Sequence, residues 1–244
     1  MRILISIIIV ILFSTYTFAG VTINIESAYV TSSYNDVRIP NQTGTLFSLT
    51  DDLKSSSKGF YRVNIIYDWN KKNFIQLLYA PLTLNAEGYA PRDISYNETM
   101  FPQNSYLNAK YRFDSYRLTY RRTFYNNAKL TIGVGLTAKI RDAAIELKSG
   151  TTQSEKTNTG FVPLINFKID YILSSKFSAR LEGDALVGPQ GRAEDIFVGF
   201  DYSINRLLSI FAGYRMLEGG ADVDEVYNFT FLHYASAGLI IKLI

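Results

Sequence analysis

His233 is the only histidine in this 244-residue chain, and therefore the one imidazole available as a general base near neutral pH. Such a base activates a serine only if the two side chains meet. The serine nearest in sequence is Ser236, three residues on. In an extended strand, residues three apart point to opposite faces, so spacing alone builds no pair. By parity His233 shares a face with Phe229, Phe231, Leu239 and Ile241. A second chemistry is hard-cation binding by Glu218, Asp222, Asp224 and Glu225, because Ca²⁺ takes several carboxylate oxygens from one flexible segment. Their spacing does not match a calcium-binding hand, and a solvated acidic loop is the plain alternative. No Gly-rich phosphate loop, HExxH or GxSxG occurs, so the sequence implies no catalytic motif, bound metal or organic cofactor.

A larger set of reactive groups is spread along the chain. Arg62, Arg117, Arg121, Lys139, Arg141, Lys168, Arg180 and Arg215, with Asp68, Asp170, Glu182, Asp184, Asp195 and Asp201, alternate with apolar or aromatic neighbours. That period of two puts the charges on one face of successive strands. Enclosed together, they would form either a mildly anion-favouring passage or a salt-bridged plug. Side chains fill eight-stranded barrels, whereas aqueous channels need about sixteen strands, so a barrel of ten strands favours the plug.

The pattern is clearest over residues 161–187, FVPLINFKIDYILSSKFSARLEGDALV. If Ser174–Lys176 is a three-residue hairpin loop, Asp170 opposes Arg180, Lys168 opposes Glu182 and Phe167 covers Gly183. A two-residue loop would instead set charges against apolar residues.

The same reading extends along the chain. It predicts strands over Val21–Val30, Phe60–Trp69, Phe74–Ala80, Leu107–Phe124, Leu130–Ile140, Phe161–Leu173, Phe177–Val187, Ile196–Tyr202, Leu208–Met216 and Phe229–Leu243, ten in all. Polar loops are expected at 31–57, 81–105, 148–160, 188–192 and 217–228, alternating with tight turns. Tyr111 and Phe113 have the opposite parity to Tyr116, which predicts a bulge near Asp114-Ser115. Gly133 and Gly135 would make room for Arg121. Trp69, Phe74, Phe124, Tyr125, Tyr171, Phe177 and Tyr202 cluster beside the tight turns, as in an interfacial girdle.

The N-terminal stretch MRILISIIIVILFSTYTFAG has a charged start at Arg2, an apolar run over Ile3–Phe13 and small residues before a cleavage point after Ala19. It reads as a secretory signal peptide over residues 1–19, with the barrel domain over 20–244. No later stretch is apolar enough for a spanning helix. With no cysteine, disulfides, thiolate metal sites and lipid attachment at an N-terminal cysteine are excluded. The near balance of 25 Lys+Arg against 22 Asp+Glu argues against a nucleic-acid partner.

Together these features resemble the bacterial outer-membrane β-barrel proteins as a broad class, over essentially all of residues 20–244. The strand number is similar to that of the omptin proteases and some adhesins. The chain departs from the usual class ending, a terminal Phe, by finishing Leu243-Ile244. The resemblance implies an all-β, ten-stranded, antiparallel, up-and-down transmembrane barrel in the outer membrane. It also implies membrane lipid, lipopolysaccharide and the barrel-assembly machinery as partners. Omptin proteases need an aspartate–histidine set at the outer rim, and spacing assigns neither Asp222 nor Asp224 to that role. Lipid A deacylases use a membrane-facing His and Ser two residues apart, whereas Ser236 lies three from His233. The expected function is structural, binding or narrow transport without catalysis. The alternatives are a barrel enzyme acting on lipid A or surface peptides, and a secreted lipocalin-like barrel holding an apolar ligand.

Overall fold

A computed structural model describes residues 20–243. The expected signal segment, with its predicted cleavage point after Ala19, and the terminal Ile244 lie outside the described residues. Ten antiparallel strands close into a barrel: β1 (Gly20–Arg38), β2 (Lys58–Asp68), β3 (Asn73–Ala80), β4 (Tyr106–Asn126), β5 (Leu130–Ser149), β6 (Thr152–Ile172), β7 (Phe177–Gly188), β8 (Gly191–Ser203), β9 (Leu208–Val223) and β10 (Val226–Leu243). Each pairs with its neighbours in chain order, and β10 closes on β1 from Val21↔Leu243 to Arg38↔Tyr227. Closure leaves no open edge, which is what lets strands cross lipid with every backbone group paired.

One end of the barrel carries both termini and the tight turns. Their polar residues close the chain locally. Asn127 Oδ1 accepts from the amides of Lys129 and Leu130, and Asn205 Oδ1 accepts from those of Leu207 and Leu208. Asp68 serves the same purpose, accepting from the amides of Asn70 and Lys71 at 3.0 and 2.5 Å. It is therefore a turn residue rather than part of the luminal network.

The outer wall is apolar and exposed, with Leu118, Leu136, Ile165 and Val198 standing free of the protein; Leu136 is 68% exposed. Aromatic residues border this belt. Trp69 stacks on Tyr120 at the lower edge and Tyr79 on Tyr116 at the upper edge, with ring centroids 6.3 and 5.2 Å apart. Phe74 departs from the expected girdle. It faces inward beneath Arg121, whose guanidinium lies 5.6 Å from its ring centroid.

The strands run much further than their periodicity suggested. The expected polar loop 148–160 is a two-residue turn at Gly150-Thr151, with Gly150 at φ 56°. The expected loops 188–192 and 217–228 reduce to turns at Pro189-Gln190 and Asp224-Glu225. These segments are polar because they are strand ends above the apolar belt, where both faces need not be greasy. Within 81–105, residues Thr83–Tyr89 continue the line of β3 along β4, and Ile94–Tyr96 pairs with Thr99–Phe101.

No bulge occurs at Asp114-Ser115. The register with β5 is unbroken there, and Ala80↔Ser115 and Thr83↔Arg112 keep one register on the other side. Tyr111 and Phe113 share the inward face with Arg117 because the upper interior is apolar, so parity never changes. The bulges lie elsewhere, one opposite Ile132/Gly133 and one between Ser32 and Tyr34. Gly133 does accommodate Arg121: a Cβ there would come within 3.1 Å of Arg121 Cδ. At Gly135 a Cβ would collide with the Tyr120 carbonyl.

Candidate functional site

The interior has two storeys. In the lower one, three arginines and three carboxylates form a closed lattice. Arg62 meets Asp195 at 2.9 Å and Glu26 at 3.8 Å, while Arg117 meets Asp184 and Asp195, both at 2.7 Å. Arg215 meets Glu26 at 2.8 Å and Asp195 at 2.7 Å. All six residues are buried, so each charge is held by opposite charges rather than by water. Glu26 is the residue that sequence reasoning missed. Its signal was present, since it alternates with Ile23, Ile25 and Tyr29 on β1.

Below this lattice the hairpin around Ser174–Lys176 has the predicted register, with Asp170↔Arg180, Lys168↔Glu182 and Phe167↔Gly183. The ion pairs are not the cross-strand ones. Lys168 binds Asp170 at 3.2 Å, and Arg180 binds Glu182 at 3.2 Å and Asp201 at 3.0 Å. Arg180 also lies 4.7 Å from the ring centroids of both Phe197 and Phe211, which draws it along the wall and away from Asp170. Arg121 reaches Asn166 at 3.2 Å. Lys139 stands 4.8 Å from the Phe113 ring centroid, at the junction of the storeys. Arg141, higher up, donates to Asn158.

The upper storey is hydrophobic. Val30, Leu107, Tyr111 and Leu147 face inward from the strands and are buried against Ile39, Phe47, Leu49, Ile94, Tyr96 and Phe101 from the two long connections. Phe47 and Ser48 pair with Val37 and Asp36, and Lys54 and Ser55 pair with Glu87 and Ala86, filling the wall above the end of β2. The Tyr96 hydroxyl donates to the Ile145 carbonyl at 2.6 Å, fixing the inner hairpin to β5. A cavity of about 20 Å³ remains in the charged storey, lined by Arg62, Asn64, Arg117, Arg121, Asn166 and Asp195 among others. That is room for roughly one water, since a water needs about 10–15 Å³ of such space.

The four acidic residues near the rim do not form one cluster. Glu218 accepts from the Tyr34 hydroxyl at 2.6 Å and pairs with Arg192. Asp222 accepts from the Asn41 side-chain amide at 2.6 Å, and Glu225 meets Lys156 at 3.1 Å. Asp224 lies in the turn with Glu225, and its carbonyl accepts from the Asn41 amide at 3.2 Å. Among the described residues no group of three or more His, Cys, Asp or Glu stands close enough to hold a metal ion.

His233 lies on the outer wall, as parity required, and Ser236 points inward to donate to Glu26 at 2.8 Å. What spacing hid is the partner across the β10–β1 seam. His233 Nε2 is 2.9 Å from Ser33 Oγ and Nδ1 is 2.5 Å from the Tyr214 hydroxyl. Ser33 is the extra residue of the β1 bulge and has no cross-strand counterpart. Continuing β1 past Val30 in register with β10 would have brought it into view. Both imidazole nitrogens are thus occupied, and neither Asp222 nor Asp224 is among their partners.

No protein-family model and no curated protein sequence matches the chain. Solved structures do. The outer membrane protease OmpT from Escherichia coli aligns with a TM-score of 0.63 at 8% identity, over 92% of this chain and 97% of that one. The translocator domain of the autotransporter NalP from Neisseria meningitidis gives 0.45 at 12% identity, over 97% and 92%. Ail of Yersinia pestis gives 0.40 at 9% identity, over 91% and 99%. At these identities the likeness concerns fold and carries no activity across. With its closed ten-strand sheet, apolar outer wall and charged interior, the chain has the fold of the bacterial outer-membrane β-barrel proteins.

Proposed function

We propose that this is an integral outer-membrane barrel with a closed lumen, whose role is exercised at its outer and external surfaces. The observation that carries this is the filled interior: a lattice of paired charges below, a hydrophobic plug above, and residual cavities of about 20 and 10 Å³. Of the structural, binding and narrow-transport roles that the sequence admits, the filled interior favours the first two. Membrane lipid contacts the apolar belt, lipopolysaccharide surrounds the polar strand ends above it, and the barrel-assembly machinery is the partner during insertion. No catalysis is assigned to the lumen or the rim, where the Glu218, Asp222 and Glu225 side chains are engaged with arginine, tyrosine, asparagine and lysine.

Planar-bilayer recording of the purified protein tests the closed lumen. The expected trace has no large stable steps, and steady porin-sized conductance would overturn the reading. Membrane fractionation tests the location: recovery of the mature chain in soluble periplasm would point instead to a secreted barrel.

A further inference from the structure

We propose that Ser33 and His233 form a nucleophile–base pair on the outer wall that hydrolyses acyl esters of membrane amphiphiles. The inference goes beyond a structural or binding role, and it rests on the reading that this wall faces lipid. Three observations meet at one place. The only imidazole of the chain holds a serine hydroxyl at 2.9 Å through Nε2. Its other nitrogen is held at 2.5 Å by the Tyr214 hydroxyl. The serine sits on a β-bulge, a distortion that turns a side chain out of the regular ladder and is common beside active sites. A base fixed by a third group and in hydrogen-bond reach of a hydroxyl is the arrangement that activates serine.

Its height on the barrel selects the substrate. His233 pairs with Thr31, two residues above Tyr29, which is 59% exposed on the same wall. Tyrosines collect where hydrocarbon gives way to headgroups. Just above, Arg192 and Glu218 form an ion pair, with Arg192 5.0 Å from the Phe229 ring centroid. The pair therefore stands where an apolar wall turns polar, the depth at which amphiphiles carry the esters of their acyl chains. Phe231, with its ring centroid 4.4 Å from that of His233, supplies an apolar surface beside the imidazole.

With Nδ1–H donating to Tyr214, the Nε2 lone pair takes the Ser33 proton as Oγ attacks the ester carbonyl carbon. The C–O bond to the alcohol breaks, and the leaving oxygen takes that proton back from Nε2. Water, deprotonated by Nε2, then attacks the acyl-serine. The carboxylic acid departs, and Ser33 Oγ recovers its proton from His233. The sum is ester plus water to acid plus alcohol, with no other reactant.

Glycerophospholipid and lipopolysaccharide both present such esters, and the experiment separates them. The full chain, folded in detergent micelles, is treated with a fluorophosphonate and the labelled peptide is identified. Free fatty acid is measured with mixed micelles of phosphatidylethanolamine and, separately, of lipopolysaccharide. The expected result is label on Ser33 and fatty acid from at least one lipid. Ser33→Ala and His233→Ala should each lose about 100-fold or more in rate at unchanged heat-modified gel mobility. Label at another residue, fatty acid release that persists in Ser33→Ala, or neither label nor release from folded wild type would overturn the proposal. The wild-type labelling needs no variant, so a variant that fails to fold leaves the proposal falsifiable. Porin-sized conductance would sink the closed-lumen reading while leaving Ser33 labelling unaffected, so the two fail separately.

Discussion

Arg215 and Glu26 are joined by two parallel hydrogen bonds, Nε to Oε1 at 2.9 Å and Nη2 to Oε2 at 2.8 Å. The pair reaches from β9 to β1 across the whole width of β10, where Ser236 completes it by donating to the same carboxylate. Bidentate geometry of this kind fixes orientation as well as charge. It ties three strands at the seam where the ends of the chain meet, a contact that forms only when the barrel closes.

Removing one side of that pair should therefore be costly. Arg215→Ala leaves Glu26 only Arg62, at 3.8 Å, as an ion-pair partner and takes one of three arginines from Asp195, at a cost of about 3–5 kcal/mol. Arg215→Met combined with Glu26→Gln should be milder than the sum of the single changes, with a coupling of about 0.5–3 kcal/mol. Urea midpoints of the micelle-folded protein, followed by heat-modified mobility, give both values. Simple additivity would show that the two side chains are not coupled.

The hairpin makes a contrasting case. Asp170 faces Arg180 in register but is bound by Lys168, and both Lys168 and Asp170 are about a quarter exposed. Asp170→Ala should cost under about 1 kcal/mol, because solvent screens that pair. A cycle on Arg180 and Asp201 should show clear coupling, and one on Arg180 and Asp170 should be close to additive. The reverse ordering would mean that the cross-strand pair is the real one.

The plug should weaken in alkali. Burial raises the pKa of Tyr96 above that of a free tyrosine, so the folded state holds the phenol neutral. Its contribution is fully present below the unfolded pKa of about 10 and is lost as pH rises beyond it, because only the unfolded chain then ionises. Tyr96→Phe should cost about 0.5–1.5 kcal/mol at neutral pH through the lost bond to Ile145. It should also flatten the fall in stability above pH ~10. An unchanged slope would place the titrating group elsewhere.

Trp69, the single tryptophan, reports the lower edge of the lipid belt. In vesicles containing brominated phospholipid, its emission should be quenched most by bromines near the headgroups and least by those at the bilayer centre. Insensitivity at every depth would remove the wall beside Tyr120 from lipid.

The period of two, the tight-turn residues and the paired charges of 161–187 specify ten strands, the inward and outward faces of their residues apart from Asp68 and Phe74, and the register of one hairpin. Side-chain parity and turn length are local properties, and they hold wherever one face is apolar. The same locality explains the opposite faces of His233 and Ser236. It also explains the failures. Above the lipid belt both faces of a strand may be polar, so 148–160 and 217–228 lost their periodicity while remaining strands. Tyr111 and Phe113 looked out of phase because the upper lumen is filled by Phe47, Tyr96 and Phe101, which come from connections remote in sequence. The choice of Asp201 over Asp170 by Arg180 depends on how far a long side chain is drawn by Phe197 and Phe211. The meeting of Ser33 with His233 needs both the closure of β10 on β1 and a bulge at one residue. Those decisions belong to tertiary structure, because each depends on which distant segments share a wall or an interior, and alternation along one strand carries no record of its neighbours.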